Sequence, residues 1–225
     1  NLGTGKGYSV LEMVDAFENY LSQGMMGIKM KLGHDDPKID IERVTGVRKA
    51  LGDDIWISTD ANQKWDYPTA MMVGRELEQL NVAWFEEPLW CDDIPGHARL
   101  ADALDIPIAM GETLGSRYEF DAYIRADAAD ILQPDICRVG GITEMIKIVH
   151  MGQVAGRPIA PHHMMESTIQ VACGVMSSGP IEYMPWVSGA FSEPMRIENG
   201  QMFPHQKPGL GLDIPEDVIQ KYRIE

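Results

Sequence analysis

Seven short apolar runs recur along the chain, and nearly every one ends in a charged or polar side chain: "GIKMKLG", "IWISTDAN", "VAWFEEP", "IPIAMGE", "DILQPDI", "RPIAPHH" and "PIEYMP". Longer segments with apolar residues at helical spacing separate them, such as "YPTAMMVGRELEQLN" and "GITEMIKIVHMGQVAG". Repeated strand–helix units require a parallel sheet covered by helices. In such sheets, ligands sit at the carboxyl ends of the strands. The strand-ending residues are therefore the first place to look for chemistry.

Their spacing narrows the architecture. Glu86 follows Asp60 by 26 residues and precedes Glu112 by 26. Lys31 lies 29 before Asp60, Asp135 lies 23 after Glu112, His162 lies 27 further on and Glu182 a further 20. Each interval is about one βα unit. Seven units predict an α/β chain of the (β/α)8 type, a TIM barrel lacking its first strand before Asn1. "NLGTGKGYS" reads as a loop tail, so an N-terminal part is expected to be missing. A doubly wound sheet is the competing architecture, but the Gly-rich phosphate turn that marks it is not found. "MRIENGQMFP" alternates around Asn199-Gly200, a hairpin signal. Residues 1–190 are thus assigned to the barrel and 191–225 to a small C-terminal β appendage.

Composition limits the partners. The 225 residues carry a net charge of −15 with no block of basic residues, which disfavours nucleic acid and anionic membrane. An anionic substrate would need local cations or a metal. Cys91, Cys137 and Cys173 stand far apart without a CxxC pair, which fits a reducing cytoplasm better than a disulfide framework. No apolar run is long enough to span a bilayer, and no signal peptide is visible. The 15 methionines read first as core filler.

Asp60, Glu86 and Glu112 end three consecutive runs. Hard oxygen donors in this number suit Mg2+. Any single strand-end acid could equally be a helix cap; three at equal spacing argue for a joint role. Glu87 breaks the series by one and would face the opposite side, so it is expected to begin the turn and bond a neighbouring loop. Lys29 and Lys31 lie two apart and share a face. If both point inward, each should lower the other's pKa, making one a usable base. A carboxylate at Asp135 bonded to His162 would fix the imidazole tautomer and raise its basicity, whereas His163 reads as structural. Burial at Glu182 would favour a protonated carboxyl that donates to a substrate oxygen. Lysine and histidine flanking a metal site fit proton abstraction next to a carboxylate.

At these residues the sequence resembles the enolase superfamily, mandelate racemase subgroup (mandelate racemase and muconate lactonizing enzymes). "KMK" is similar to the subgroup's lysine pair, which implies Lys31 as base and Lys29 on the substrate carboxylate. "DAN", "FEEP" and "GE" resemble its metal-ligand motifs at Asp60, Glu86 and Glu112. Asn62 is similar to a substrate-contacting Asn. "QPDICRVGG" and "APHH" match its Asp135–His162 dyad, and Glu182 its electrophilic glutamate. The resemblance implies Mg2+, a small-molecule carboxylate substrate, a homo-oligomer, and an N-terminal capping domain to which the C-terminal segment returns. "DANQKWD", "GHARLADALDIPIAMGE" and "PDICRVGGITE" look most like acid-sugar dehydratases of the galactarate/talarate type, which yield 2-keto-3-deoxy acids. A racemase or epimerase of a 2-hydroxy acid is the alternative, and a non-catalytic barrel that binds metal or ligand is a third.

Overall fold

Local punctuation sets where each helix begins. Asp36 accepts from the Lys38 amide with Pro37 at the first helical position, Asp66 accepts from Thr69 N–H, and Asp93 accepts from Gly96 N–H. Each Asp satisfies an amide with no partner inside the helix, and Pro loses nothing at that position. Ser9 and Glu12 form a reciprocal capping box at the first helix. These caps launch α1 (Val10–Ser22), α2 (Pro37–Leu51), α3 (Tyr67–Gln79) and α4 (Ile94–Ala103), followed by α5 (Arg117–Arg125), α6 (Ile142–Val154) and α7 (Met165–Val175).

The structure is a computed structural model that describes residues 8–177 and 179–224. Most of the N-terminal stretch read as a loop tail lies outside the described residues. Five strands, β1 (Gly27–Lys31), β2 (Trp56–Asp60), β3 (Phe85–Glu86), β4 (Ile108–Met110) and β5 (Ile131–Leu132), form one parallel sheet in sequential order. Two parallel bridges, Leu132 with Ile159 and Asp135 with His162, extend it by a sixth run. Parallel strands in chain order with a helix after each are the (β/α)8-barrel arrangement. The seventh run, "PIEYMP", forms no ladder among the described residues. Pro180 and Pro185 bracket it and supply no amide donors.

Alternation divides each strand between two environments. Ile28, Ile57, Phe85 and Ile108 are buried with Val44, Val47, Val73, Leu77 and Leu100 of the helices. Phe120, Tyr123, Met145 and Ile148 form a second cluster with Leu132 and Ile159. On the other face, Trp56 and Trp84 meet edge to face with ring centroids 4.8 Å apart.

The register puts Lys31, Asp60, Glu86 and Ala109 in one row across the sheet. Glu112 lies three residues beyond that row. Simple alternation from Ala109 would send it to the side of Ile108 and Met110, which pack under the helices. Gly111, at φ +146°, breaks the alternation. A side chain there would meet Phe120 Cε1 at 2.8 Å and the Gln133 backbone at 2.9 Å.

The predicted hairpin is present. β6 (Arg196–Glu198) and β7 (Gln201–Phe203) pair antiparallel around Asn199-Gly200, both at positive φ, as a type I′ turn requires. Met195, Ile197 and Met202 pack against Met165 and Ile169 of α7. The hairpin tip sits on the α1–β1 turn so closely that a Cβ on Gly200 would lie 1.8 Å from the Gly24 carbonyl oxygen. A last helix, α8 (Glu216–Tyr222), ends the described chain. Among the described residues no helix is long and apolar enough to cross a membrane.

Candidate active site

Register brings the cations of β1 onto the carboxylates of β2 and β3. Lys29 Nζ lies 2.8 and 2.9 Å from the two Glu86 oxygens, 2.8 Å from Glu182 Oε1 and 3.8 Å from Asp60 Oδ2. Lys31 Nζ donates to Asp60 Oδ2. Asp60, Glu86 and Glu112 each present an oxygen, and these oxygens lie within 4.8 Å of one another. Asp60 and Glu86 are fully buried. Asn62 reaches across the trio, its side-chain amide donating to Glu112 Oε1 at 3.2 Å and its backbone N–H to Asp60 Oδ1 at 2.8 Å.

The far side is built on the sixth run. His162 Nδ1 is 2.8 Å from Asp135 Oδ2, and Asp135 Oδ1 accepts the Cys137 and Arg138 backbone amides. His162 Nε2 faces Glu112 Oε2 at 3.3 Å and Glu182 Oε2 at 3.9 Å. The backbone N–H of His163 donates to Glu182 Oε2 at 3.0 Å. His163 and Met164 both take positive φ, 45° and 42°, where the chain turns into α7. A cavity of ≈ 160 Å³ reaches Lys29, Gln133 and Glu182 but extends toward Gly27, Trp56 and Tyr20 at the amino-terminal ends of the strands, and none of Asp60, Glu86 and Glu112 lines it.

Electrostatics correct two expectations. Lys29 is not depressed by its lysine neighbour. Burial works against its charge, yet Glu86, Glu182 and Asp60 together hold its pKa well above the ordinary lysine value. Glu182 is not a neutral acid. Burial pushes it up, but Lys29, His162 and the His163 amide bring it down to about 2. His162 stays above its ordinary value because Asp135, Glu112 and Glu182 outweigh the cost of burial. Asp60 is raised by burial and by Glu86, and Glu112 by burial and by Asp60. Crowded carboxylates of this kind carry a charge cost that a divalent cation relieves. The all-oxygen trio suits a hard ion, and neither sulfur nor nitrogen is among its three residues.

Glu87 turns away from the trio, as the spacing argument expects, but it is buried. It accepts from Gln63 Nε2 and Thr113 Oγ1, and so ties the loops after β2 and β4 to its own. Its φ of +41° makes the turn. Sequence reasoning did not single out Trp84 or Gln133, whose side chains both donate to Glu86 Oε2. Trp84 stands two before Glu86 and therefore shares its face, a signal that was available.

Residues 12–218 match the family model described as enolase C-terminal domain-like. The chain is 42% identical over 195 residues to L-talarate/galactarate dehydratase of Salmonella typhimurium, covering 87% of this chain and 49% of that protein. It is 36% identical over 221 residues to arabinonate dehydratase of Saccharolobus solfataricus, covering 92% of this chain and 57% of that one. The crystal structure of L-talarate dehydratase from Polaromonas sp. JS666, complexed with Mg and L-glucarate, superposes with a TM-score of 0.91 at 40% identity. That match covers 96% of this chain and 60% of the Polaromonas chain. The chain thus spans about half the length of the curated relatives it matches.

Proposed function

The chain belongs to the enolase C-terminal domain-like family, and from that premise we propose that it forms the catalytic barrel of a Mg2+-dependent sugar-acid dehydratase. The observation that carries this reading is the flanking of one carboxylate trio by two proton-transfer groups. Lys31 bonds Asp60 on one side and His162 faces Glu112 on the other. The likeness to the talarate/galactarate and arabinonate dehydratases supports a substrate with a hydroxyl β to its carboxylate.

Asp60, Glu86 and Glu112 would hold the ion, which when bound supplies neutralisation of charge gathering on the substrate carboxylate. Lys29, an ammonium, holds that carboxylate. Lys31 takes the proton α to it. His162 is protonated more readily than an ordinary histidine. It therefore delivers a proton to the β-hydroxyl, which leaves as water, and the resulting enol becomes a 2-keto-3-deoxy acid. Asp135 keeps the imidazole oriented through Nδ1. Asn62 contacts substrate from between Asp60 and Glu112. Glu182 is ionised and serves to hold Lys29 in place. The segment from residue 191 is proposed to return toward a capping domain, and the unpaired cysteines support a reducing, cytoplasmic setting.

A panel of aldaric and aldonic acids with Mg2+, scored for 2-keto product, tests the reading. At least one acid should react, and Lys31→Ala or His162→Ala should abolish turnover. Turnover unchanged in both variants would overturn it. The same two flanking groups suit a racemase or epimerase of a 2-hydroxy acid. Exchange of the α-proton with solvent deuterium, without keto product, would favour that second reading.

A further inference from the structure

Glu86 is served unequally at its two oxygens. Among the described residues, Oε1 accepts only from Lys29, at 2.8 Å. Oε2 accepts from Lys29 at 2.9 Å, from Trp84 Nε1 at 3.2 Å and from Gln133 Nε2 at 2.7 Å. Three donors crowd one oxygen, and the other has Lys29 alone among the described residues. We propose that Trp84 and Gln133 are positioning residues for a metal-binding Glu86, pinning Oε2 so that Oε1 is the oxygen offered to the cation. This rests on the proposed Mg2+ site.

The two donors are costly choices for a barrel interior. Trp84 is 6% exposed and Gln133 2%. Donation to Glu86 fixes the Gln133 amide with its own oxygen buried and without a hydrogen-bond partner among the described residues. An unpartnered buried acceptor costs stability, and leucine would fill the same space without that cost. The amide is retained at a loss to the core, so its donor hydrogen must serve something else. Trp84 is held independently, its ring edge to face on Trp56, which fixes where its N–H points. Neither residue reaches Asp60 or Glu112 by any hydrogen bond among the described residues. Their influence is confined to one ligand. Groups that orient a metal ligand without touching the metal usually change its affinity by about 10–100-fold when removed.

The test is metal affinity, not turnover. Titrating Mg2+ calorimetrically, and Mn2+ by electron paramagnetic resonance, should give about 10–100-fold weaker binding for Trp84→Phe and for Gln133→Leu than for the unmodified protein. Gln133→Leu removes the orphaned acceptor but also a donor to the buried Glu86 carboxylate, so a modestly lower melting temperature without metal is expected. Metal binding should also change tryptophan emission, and Trp84→Phe should diminish that change. Unmodified affinity in both variants overturns the proposal while leaving the metal site standing. Equally weakened binding in a variant remote from the site and equally destabilised, such as Gly52→Ala, also overturns it, because the loss is then general destabilisation. Failure of the unmodified protein to bind either ion overturns the Mg2+ reading itself. Should Trp84→Phe not fold, Gln133→Leu decides alone.

Discussion

Gly111→Ala is the sharpest perturbation of the site that leaves every polar group in place. Gly111 sits at φ +146°, a conformation that costs a side-chain-bearing residue about 1–3 kcal/mol. The new methyl would also meet Gln133 backbone atoms at 2.9 Å and Phe120 at 2.8 Å. Backbone of the neighbouring run cannot swing aside, so overpacking adds about 1–3 kcal/mol. The combined loss is roughly 2–6 kcal/mol, a large share of a typical stability of about 5–15 kcal/mol. Gly52→Ala provides the control. Gly52 has φ +86° at the end of α2, and its Cβ would meet nothing within 4 Å. It suffers the backbone cost alone. Each kcal/mol is worth about 2–4 °C in a chain of this size, so Gly111→Ala should melt about 2–12 °C below Gly52→Ala in a calorimetric scan. It should also bind Mg2+ more weakly, because Glu112 is the next residue, whereas Gly52→Ala should not. Equal melting temperatures for the two variants would refute the claim that Gly111 is required by close approach.

Saturating Mg2+ should stabilise the protein by about 2.7 kcal/mol at a hundred times its Kd, a rise of roughly 5–11 °C by thermal-shift measurement; Glu86→Gln should lose it, and an undiminished shift in that variant would refute Glu86 as a ligand. Glu87→Gln should keep the shift but cost about 1–3 kcal/mol in urea unfolding, since Glu87 is a buried acceptor for Gln63 and Thr113. His97 lies outside the site, and burial lowers its pKa, so the unfolded chain binds its proton first. Stability should be intact above about pH 6.5 and fall below it, by up to about 1.4 kcal/mol per pH unit. Urea titrations should show a shallower acid slope in His97→Gln, and an unchanged slope would count against the burial argument.

Much of this arrangement is legible in the chain because it follows from a period of two. Lys31, Asp60 and Glu86 end successive strands and share one row of the sheet, and the same parity turns Glu87 away. Glu112 arrives by a different route. Its interval of 26 residues matches the series, but its side chain joins the others only because Gly111 breaks the alternation. Sequence spacing thus selected a residue whose placement depends on a backbone conformation that spacing cannot encode. The hairpin was legible because Asn199-Gly200 has a local conformational preference. The lysine and glutamate charges were misjudged for a related reason. A rule about two neighbouring lysines on one strand does not include Glu86 and Glu182, which reach Lys29 from β3 and from the seventh run. Gln133 was passed over because a lone amide at the end of an apolar run carries no pattern of its own.

The contact between the hairpin tip and the α1–β1 turn has a consequence for biosynthesis. Residue 200 meets residue 24, so the turn stays uncovered until 176 further residues (200 − 24) have been added. At about 5–20 residues per second this takes roughly 10–35 s. Throughout that interval the nascent barrel holds the α1–β1 turn without the hairpin tip that packs on it, so this contact is among the last that the chain can make.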